Sequence, residues 1–220
     1  MQLQPHPTPY SDPVTSKIKR TTDVAIAVTV LTLASPVLAI SAALILITMG
    51  RPVLFRQVRP GLNEHLFTLL KFRTMRTGND SESQLLPDVD RLTGLGRCLR
   101  KFSLDELPQL WNVLRGHMTL VGPRPLLNEY LPRYSADQRR RHCVRPGITG
   151  WAQVNGRNGL TWEQKFELDM WYVDHWSLRL DFKILWLTLL KVACGEGISQ
   201  QGHATMPEFM GTANVTRQHE

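Results

Sequence analysis

Residues 24–49 contain no charged side chain, and this stretch limits the fold more than anything else in the chain. It is long enough to cross a bilayer as a helix. Residues 1–16 before it are polar and rich in proline, and are expected to form a loose tail. The apolar stretch is too long for a signal-peptide core, and no cleavage site stands out after it. Two features separate it from a plain spanning anchor. Ser35-Pro36 sits near the middle, where proline removes a helical hydrogen bond and crowds the preceding turn. Both flanks are basic: Lys17, Lys19 and Arg20 before, Arg51, Arg56 and Arg59 after. Basic flanks stay in the cytoplasm, and a spanning helix cannot keep both there. A re-entrant helix that breaks at Ser35-Pro36 and returns on the same side can. Ser35 could then bond a carbonyl left free by the break. These signals favour the re-entrant form and leave the spanning form open.

Past Gly50 the pattern is that of a compact mixed domain. A chain of 220 residues can bury a core without disulfide staples. Strands are expected at 53–58 and 65–72, around the turn Arg59-Pro60-Gly61-Leu62-Asn63-Glu64. Helices are expected at 92–102, 106–114, 127–134, 136–143 and 162–175. Residues 78–91 are polar and expected as loop. Gly122-Pro123-Arg124-Pro125 must be a stiff extended loop, because two prolines fix its backbone. Residues 145–158 carry several glycines and are also expected as loop. The segment 182–192 is a short apolar helix, too short to span and suited to lying in the membrane interface. Trp162, Trp171, Trp176 and Trp186 follow one another through this apolar third and suit interfacial anchoring.

The formal net charge is +7 and the sequence pI is about 9.7, so an anionic partner is expected: nucleic acid, acidic membrane or a phosphate-bearing substrate. The three cysteines form no ligand cluster, the seven histidines show no ligand spacing, and no Walker A or G-x-G-x-x-G loop is present. Asp88-Val89-Asp90 spells D-x-D but lacks the strand context of a metal-holding glycosyltransferase motif. The cluster Ser103-Leu104-Asp105-Glu106-Leu107-Pro108-Gln109 matters most. Its residues alone are read most simply as a capping box, Ser103 with Glu106, at a helix start. The competing reading gives one carboxylate the attack on phosphorus and the other a metal or a proton. Cations surround it in the sequence: Lys71, Arg73, Arg76, Arg97, Arg100, Lys101 and Arg124. Alternation on a strand puts Lys71 and Arg73 on one face. Arg124, set between two prolines, is pre-oriented for a pair of phosphate oxygens.

Taken together, Lys19-Arg20, Ser35-Pro36, Phe55-Arg56-Gln57-Val58-Arg59-Pro60-Gly61, Lys71-Phe72-Arg73-Thr74-Met75, Ser103-Leu104-Asp105-Glu106-Leu107-Pro108-Gln109-Leu110, Val121-Gly122-Pro123-Arg124-Pro125 and the run from Val144 through Asn158 resemble the bacterial sugar transferase family. These are the monotopic phosphoglycosyl transferases that start glycan assembly on undecaprenyl phosphate, and the likeness covers residues 17–203. The resemblance implies a mixed α/β, mostly helical monotopic membrane protein. A re-entrant helix-break-helix would join a small cytoplasmic catalytic domain with interfacial amphipathic helices. The parts would be a tail at 1–16, the re-entrant helix at 17–50, the catalytic domain at 51–203 and a C-terminal tail at 204–220. The resemblance also implies an aspartyl nucleophile at Asp105, which would hold Mg²⁺, with Glu106 beside it. Lys71, Arg100, Arg124 with its flanking Pro123 and Pro125, Arg145, and Asp169 of Phe166-Glu167-Leu168-Asp169 would serve the substrate. A UDP-sugar would give its sugar-1-phosphate to undecaprenyl phosphate at the cytoplasmic face of the bacterial inner membrane, among inner-membrane lipids. Downstream glycosyltransferases are expected partners and nucleic acid is not. The run Ala152-Gln153-Val154-Asn155-Gly156-Arg157-Asn158 suggests an N-acetylated amino sugar, as in enzymes that initiate protein glycosylation with bacillosamine. Two other classes compete: a non-catalytic protein that reads acidic lipid, and a nucleic-acid binder marked by salt-dependent affinity.

Overall fold

The computed structural model describes residues 13–76, 91–156, 159–194 and 208–211. Its longest element is α1, Pro13–Met49, which takes in the last residues of the expected tail. The expected break is not there: Ser35 and Pro36 lie inside one continuous helix. The reason is local. Pro36 has no N–H to give to the carbonyl of Thr32, four residues back. The Ser35 hydroxyl donates to that same carbonyl at 2.8 Å. A side-chain bond replaces the lost backbone bond, and such a site bends a helix rather than ending it.

Both ends of α1 rest on the same domain. Ala27 is fully buried in a core with Leu110, Val113 and Met118. Ile45 is fully buried with Phe72 and Leu99. Arg73 closes the C-terminal end by donating to the carbonyls of Met49, Gly50 and Arg51. Between these anchors Leu33 and Ile40 are 75% and 60% exposed. The helix is long and apolar enough to cross a membrane, and only 11% of its most apolar window is buried against the domain.

The domain opens with an antiparallel hairpin, β1 (Leu54–Pro60) and β2 (Leu66–Phe72), close to the expected strands. Its register pairs Phe55 with Lys71. Helix α2 (Gly94–Lys101) is capped by the Thr93 hydroxyl. A Cβ at Gly96 would lie 2.0 Å from the Thr74 carbonyl, so only glycine lets α2 approach the end of the hairpin this closely. A 3₁₀ turn, Leu104–Glu106, leads into the short helix α3 (Gln109–Leu114).

A second sheet was not legible beforehand. Strand β3 (Thr119–Val121) pairs in parallel with β4 (Gly147–Thr149), inside the stretch expected as loop. Helix α5 (Trp151–Val154) follows directly. The contact requires glycine: a Cβ on Gly147 would stand 2.1 Å from the Gly122 nitrogen. Gly147 also donates to the Pro123 carbonyl at 3.0 Å, so the loop Gly122-Pro123-Arg124-Pro125 is tied to β4. Between the strands, 3₁₀ turns at Asn128–Arg133 and Arg140–Cys143 flank α4 (Ala136–Arg139).

Two longer helices complete the domain. Helix α6 (Trp162–His175) starts from a Thr161–Gln164 capping box. Helix α7 (Leu178–Cys194) buries Asp181 and Ile184 and exposes Phe182, Trp186, Leu189 and Leu190. Those four recur at the spacing of one helix face. The tryptophans divide. Trp186 is exposed, whereas Trp176 is buried with its indole donating to Asp181. Trp162 packs into an aromatic cluster.

Candidate active site

Ser103 adopts the left-handed conformation (φ 54°), and its side chain caps nothing. The capping-box reading therefore fails. The Ser103 carbonyl, not its hydroxyl, accepts from the Glu106 N–H. The turn that follows gives the two adjacent carboxylates different surroundings. Glu106 accepts from Lys71 Nζ at 2.7 Å and from Arg124 Nη2 at 2.5 Å. These cations overcome the cost of burial and hold the Glu106 carboxyl far below the usual range. The same contacts raise the Arg124 pKa, while burial lowers that of Lys71.

Asp105 is 8% exposed and accepts no hydrogen bond from the described residues. Burial, and then the charge of Glu106, push its carboxyl above the ordinary aspartate value. Lys71, Arg100 and Arg124 act in the opposite sense. The dyad thus pairs one neutralised acid with one unpartnered acid inside a cationic ring.

Lys71 and Arg124 also line a cleft of about 260 Å³. Arg59, Leu69, Gln109 and Pro125 share its lining, with an apolar wall of Leu126, Leu127, Tyr130 and Trp162 that belongs to one cluster. Sequence reading missed Gln109 as a cleft residue, although it stands in the quoted motif. It is 2% exposed, and its amide nitrogen has no hydrogen-bond partner among the described residues. Arg59, assigned to a membrane flank, also faces this cleft. Burial and Arg124 lower its pKa to about 10.

The structure gathers Lys71, Arg124, Pro125, Asp105 and Glu106 at the dyad and cleft. Pro123 is buried behind Arg124. Arg100 stays close enough to act on Asp105, with its Nε donating to Thr74. Arg73 does not join them. Strand β2 ends at Phe72, so alternation stops there and Arg73 turns to the end of α1. Arg145 lies elsewhere, donating to the Gly116 carbonyl at 2.9 Å.

Asp169 sits one layer behind the cleft. It is buried and paired with Arg141 at 2.7 Å, and Arg141 also donates to the Arg124 carbonyl at 2.7 Å. Asp169 therefore supports the backbone that carries Arg124. Arg157, Asn158 and the D-x-D sequence lie outside the described residues. Among the described residues, no group of three or more His, Cys, Asp or Glu side chains is placed to hold a metal.

A free carboxylate among fixed cations, beside a cleft on a domain tethered by an apolar helix, defines a class: a membrane-associated protein with a site for an anionic substrate. The comparisons make the class specific. The chain belongs to the bacterial sugar transferase family, which matches residues 14–195. It is 55% identical over 199 residues to the uncharacterized sugar transferase EpsL of Bacillus subtilis (strain 168), covering 90% of this chain and 98% of that one. It is 40% identical over 194 residues to the UDP-glucose:undecaprenyl-phosphate glucose-1-phosphate transferase of Escherichia coli (strain K12), covering 84% of this chain and 42% of that enzyme. It is 40% identical over 162 residues to the galactosyl transferase CpsE of Streptococcus agalactiae serotype III (strain NEM316), covering 67% and 36%. The chain thus spans nearly all of EpsL and well under half of the two longer enzymes.

Proposed function

We propose that this protein transfers a sugar-1-phosphate from a UDP-sugar to undecaprenyl phosphate through a covalent aspartyl intermediate. The observation that carries the reading is the division of the dyad. Glu106 is consumed by Lys71 and Arg124, and Asp105 accepts no hydrogen bond from the described residues. An ionised carboxylate with no hydrogen bond to break is a ready nucleophile. An Asp105 oxygen attacks the phosphorus that bears the sugar. The bond from that phosphorus to the bridging oxygen breaks, and UMP leaves with the electron pair. An oxygen of the lipid phosphate then attacks the same phosphorus and releases Asp105, leaving a lipid-diphosphate sugar. Lys71, Arg100 and Arg124 balance the charge on the phosphoryl oxygens. Glu106, held ionised by two cations, is a poor proton acceptor at neutral pH. Its task is to fix the positions of Lys71 and Arg124.

Asp105 fits Mg²⁺, which takes one or two carboxylates and completes its shell with substrate phosphates and water. Held there, Mg²⁺ would offset the diphosphate charge that otherwise repels the carboxylate.

The sugar is the finer question. Relatives named for glucose and galactose support a hexose, while the run 152–158 motivates an N-acetylated amino sugar. A panel of UDP-sugars scored by UMP release decides between them.

The re-entrant topology, with the domain on the cytoplasmic side, belongs to the same proposal. A straight helix would carry residue 49 about 45 Å from residue 19. Yet both ends of α1 pack on one domain, and roughly 150 residues fold to a radius of gyration of about 15 Å. A bend at Ser35-Pro36 would supply the means, and the exposed face of α7 suits the interface.

The test of the chemistry is a rapid-quench burst. With Mg²⁺ and UDP-sugar but no lipid phosphate, the enzyme should release at most one UMP per site and then stall, and EDTA should remove the burst. Turnover with lipid but no burst, together with intersecting initial-rate lines, would instead mean direct attack by the lipid phosphate.

A further inference from the structure

The family match ends at residue 195, yet Phe209 is among the most deeply buried side chains, 2% exposed. Its ring sits 5.7 Å from Tyr130, 5.4 Å from Trp162, 5.0 Å from Phe166 and 5.9 Å from Tyr134. Arg133 pins the segment from outside. It pairs with Glu208 at 2.7 Å and donates to the Phe209 carbonyl. Leu126 and Leu127 pack on the same cluster. Leu126, Leu127, Tyr130 and Trp162 are the apolar wall of the cleft beside the dyad. One wall of that cleft is therefore the outer surface of a cluster whose interior Phe209 fills.

The same cleft is also lined by cations, Arg59, Lys71 and Arg124. A ligand that matches both parts of the lining has an anionic end and a flat, partly apolar end, which describes a nucleoside diphosphate. Aromatic walls hold bases by stacking, and the cations hold the phosphates.

Resting on the function proposed above, we propose that Phe209 is a positioning residue for donor binding. It holds the Tyr130–Trp162 wall where the base of the nucleotide lies. Removing it lets the wall relax into the vacated space, as cores do around a deleted ring. The base loses its platform, while the phosphates keep their cations and Asp105 keeps its surroundings. Lost binding of this uniform kind raises KM and leaves kcat alone.

The experiment compares full-length wild type, Phe209→Ala and Phe209→Leu in detergent, with UMP and inorganic pyrophosphate as inhibitors. Phe209→Ala should raise the donor KM and the UMP inhibition constant about fivefold or more, with kcat within about twofold of wild type. The pyrophosphate constant should not move, because pyrophosphate meets only the cations. Phe209→Leu should fall between the two. Wild-type constants in Phe209→Ala overturn the proposal, as does a parallel rise for both inhibitors, which marks general loosening. If Phe209→Ala does not fold, Phe209→Leu with wild-type constants overturns it alone. If wild type releases no UMP from any UDP-sugar, the proposed function fails instead. Equilibrium dialysis of UMP against wild type and Phe209→Leu then decides the wall separately: weaker UMP binding by the variant supports it and equal binding sinks it.

Discussion

The two acids of the dyad should respond to neutralisation in opposite ways. In Glu106→Gln, Lys71 and Arg124 lose their shared counter-charge. Breaking a buried pair costs about 3–5 kcal/mol. The Glu106 side chain is 19% exposed and that of Arg124 43%, so solvent screening reduces the expected loss to about 1–3 kcal/mol. At about 2–4 °C per kcal/mol for a chain of this size, Tm should fall by about 2–12 °C. Asp105→Asn removes a buried carboxylate that accepts no hydrogen bond and is disfavoured by its neighbour, so Tm should stay or rise. The pH dependence follows with its sign. The folded pKa of Asp105 is raised, so its cost is fully present above that value. The cost disappears as pH falls to the unfolded value near about 4, and any advantage of Asp105→Asn should vanish there. The folded pKa of Glu106 is depressed. Its contribution is present above the unfolded value and is lost only as pH falls further. The assay is a thermal melt of each variant beside UMP release with undecaprenyl phosphate. Asp105→Asn should melt at or above wild type and show almost no turnover. If it melts as low as Glu106→Gln, or keeps about a tenth or more of wild-type activity, the division of labour argued here is wrong.

Three further outcomes are expected. The acid limb of the wild-type kcat/KM profile should lie above the ordinary aspartate value, because burial and Glu106 raise Asp105. In Glu106→Gln it should move to lower pH, since Lys71, Arg100 and Arg124 remain; a limb that stays or rises contradicts this. Asp169→Asn should cost about 3–5 kcal/mol in urea unfolding, because it strands the buried Arg141 that holds the Arg124 carbonyl; a loss below about 1 kcal/mol would reduce the pair to decoration. Cysteines at Lys17 and Arg51 should both resist a membrane-impermeant thiol reagent in intact cells, and labelling of either one alone would show a spanning α1. Pro36→Ala should favour that spanning form by restoring the backbone bond to Thr32.

The elements that could be read from sequence were those with length or period on their side. Residues 24–49 carried a composition that admits few structures, and the hairpin and α6 carried alternation and a cap. Strands β3 and β4 are three residues each, too short for any period, and their pairing rests on backbone contact at Gly122 and Gly147. The dyad was visible as two adjacent acids, but the roles were not. The pattern Ser103-x-x-Glu106 has the form of a cap, and only the left-handed Ser103 rules that out. Arg139, Arg140 and Arg141 look alike in a row, yet Arg141 is buried on Asp169. A short run of like charges gives no sign of which member turns inward. The break at Ser35-Pro36 was expected from the proline together with basic flanks on both sides and the family resemblance, and the adjacent serine supplied the missing bond.

The chemistry proposed here needs a soluble nucleotide and a lipid phosphate to meet at one height, so the dyad must be fixed relative to the apolar helices α1 and α7. A buried polar knot makes that connection. Lys19 of α1 pairs with Asp181 of α7 at 2.6 Å and with Asp23 at 3.4 Å, and donates to the Val121 carbonyl at 3.3 Å. The Tyr172 hydroxyl of α6 lies 2.8 Å from the same carbonyl and 2.7 Å from Asp181, which share its single proton. Asp23 accepts from the Thr119 hydroxyl on β3. Val121 is the last residue of β3 and leads directly into Gly122-Pro123-Arg124-Pro125. Ion pairs of this kind add little net stability over apolar packing, because desolvation cancels most of their attraction. Their directional bonds do fix register, which a greasy contact between α1, α7 and β3 would not. A sliding contact could let the apolar helices settle in several positions, whereas this knot ties α1 and α7 to one position of the strand that leads to Arg124. Lys19→Met, close in length and apolar, removes the cation that ties Asp23, Asp181 and the Val121 carbonyl together. It should therefore impair turnover with the long membrane-bound lipid phosphate more than the single-turnover release of UMP, which needs only the dyad and the cleft.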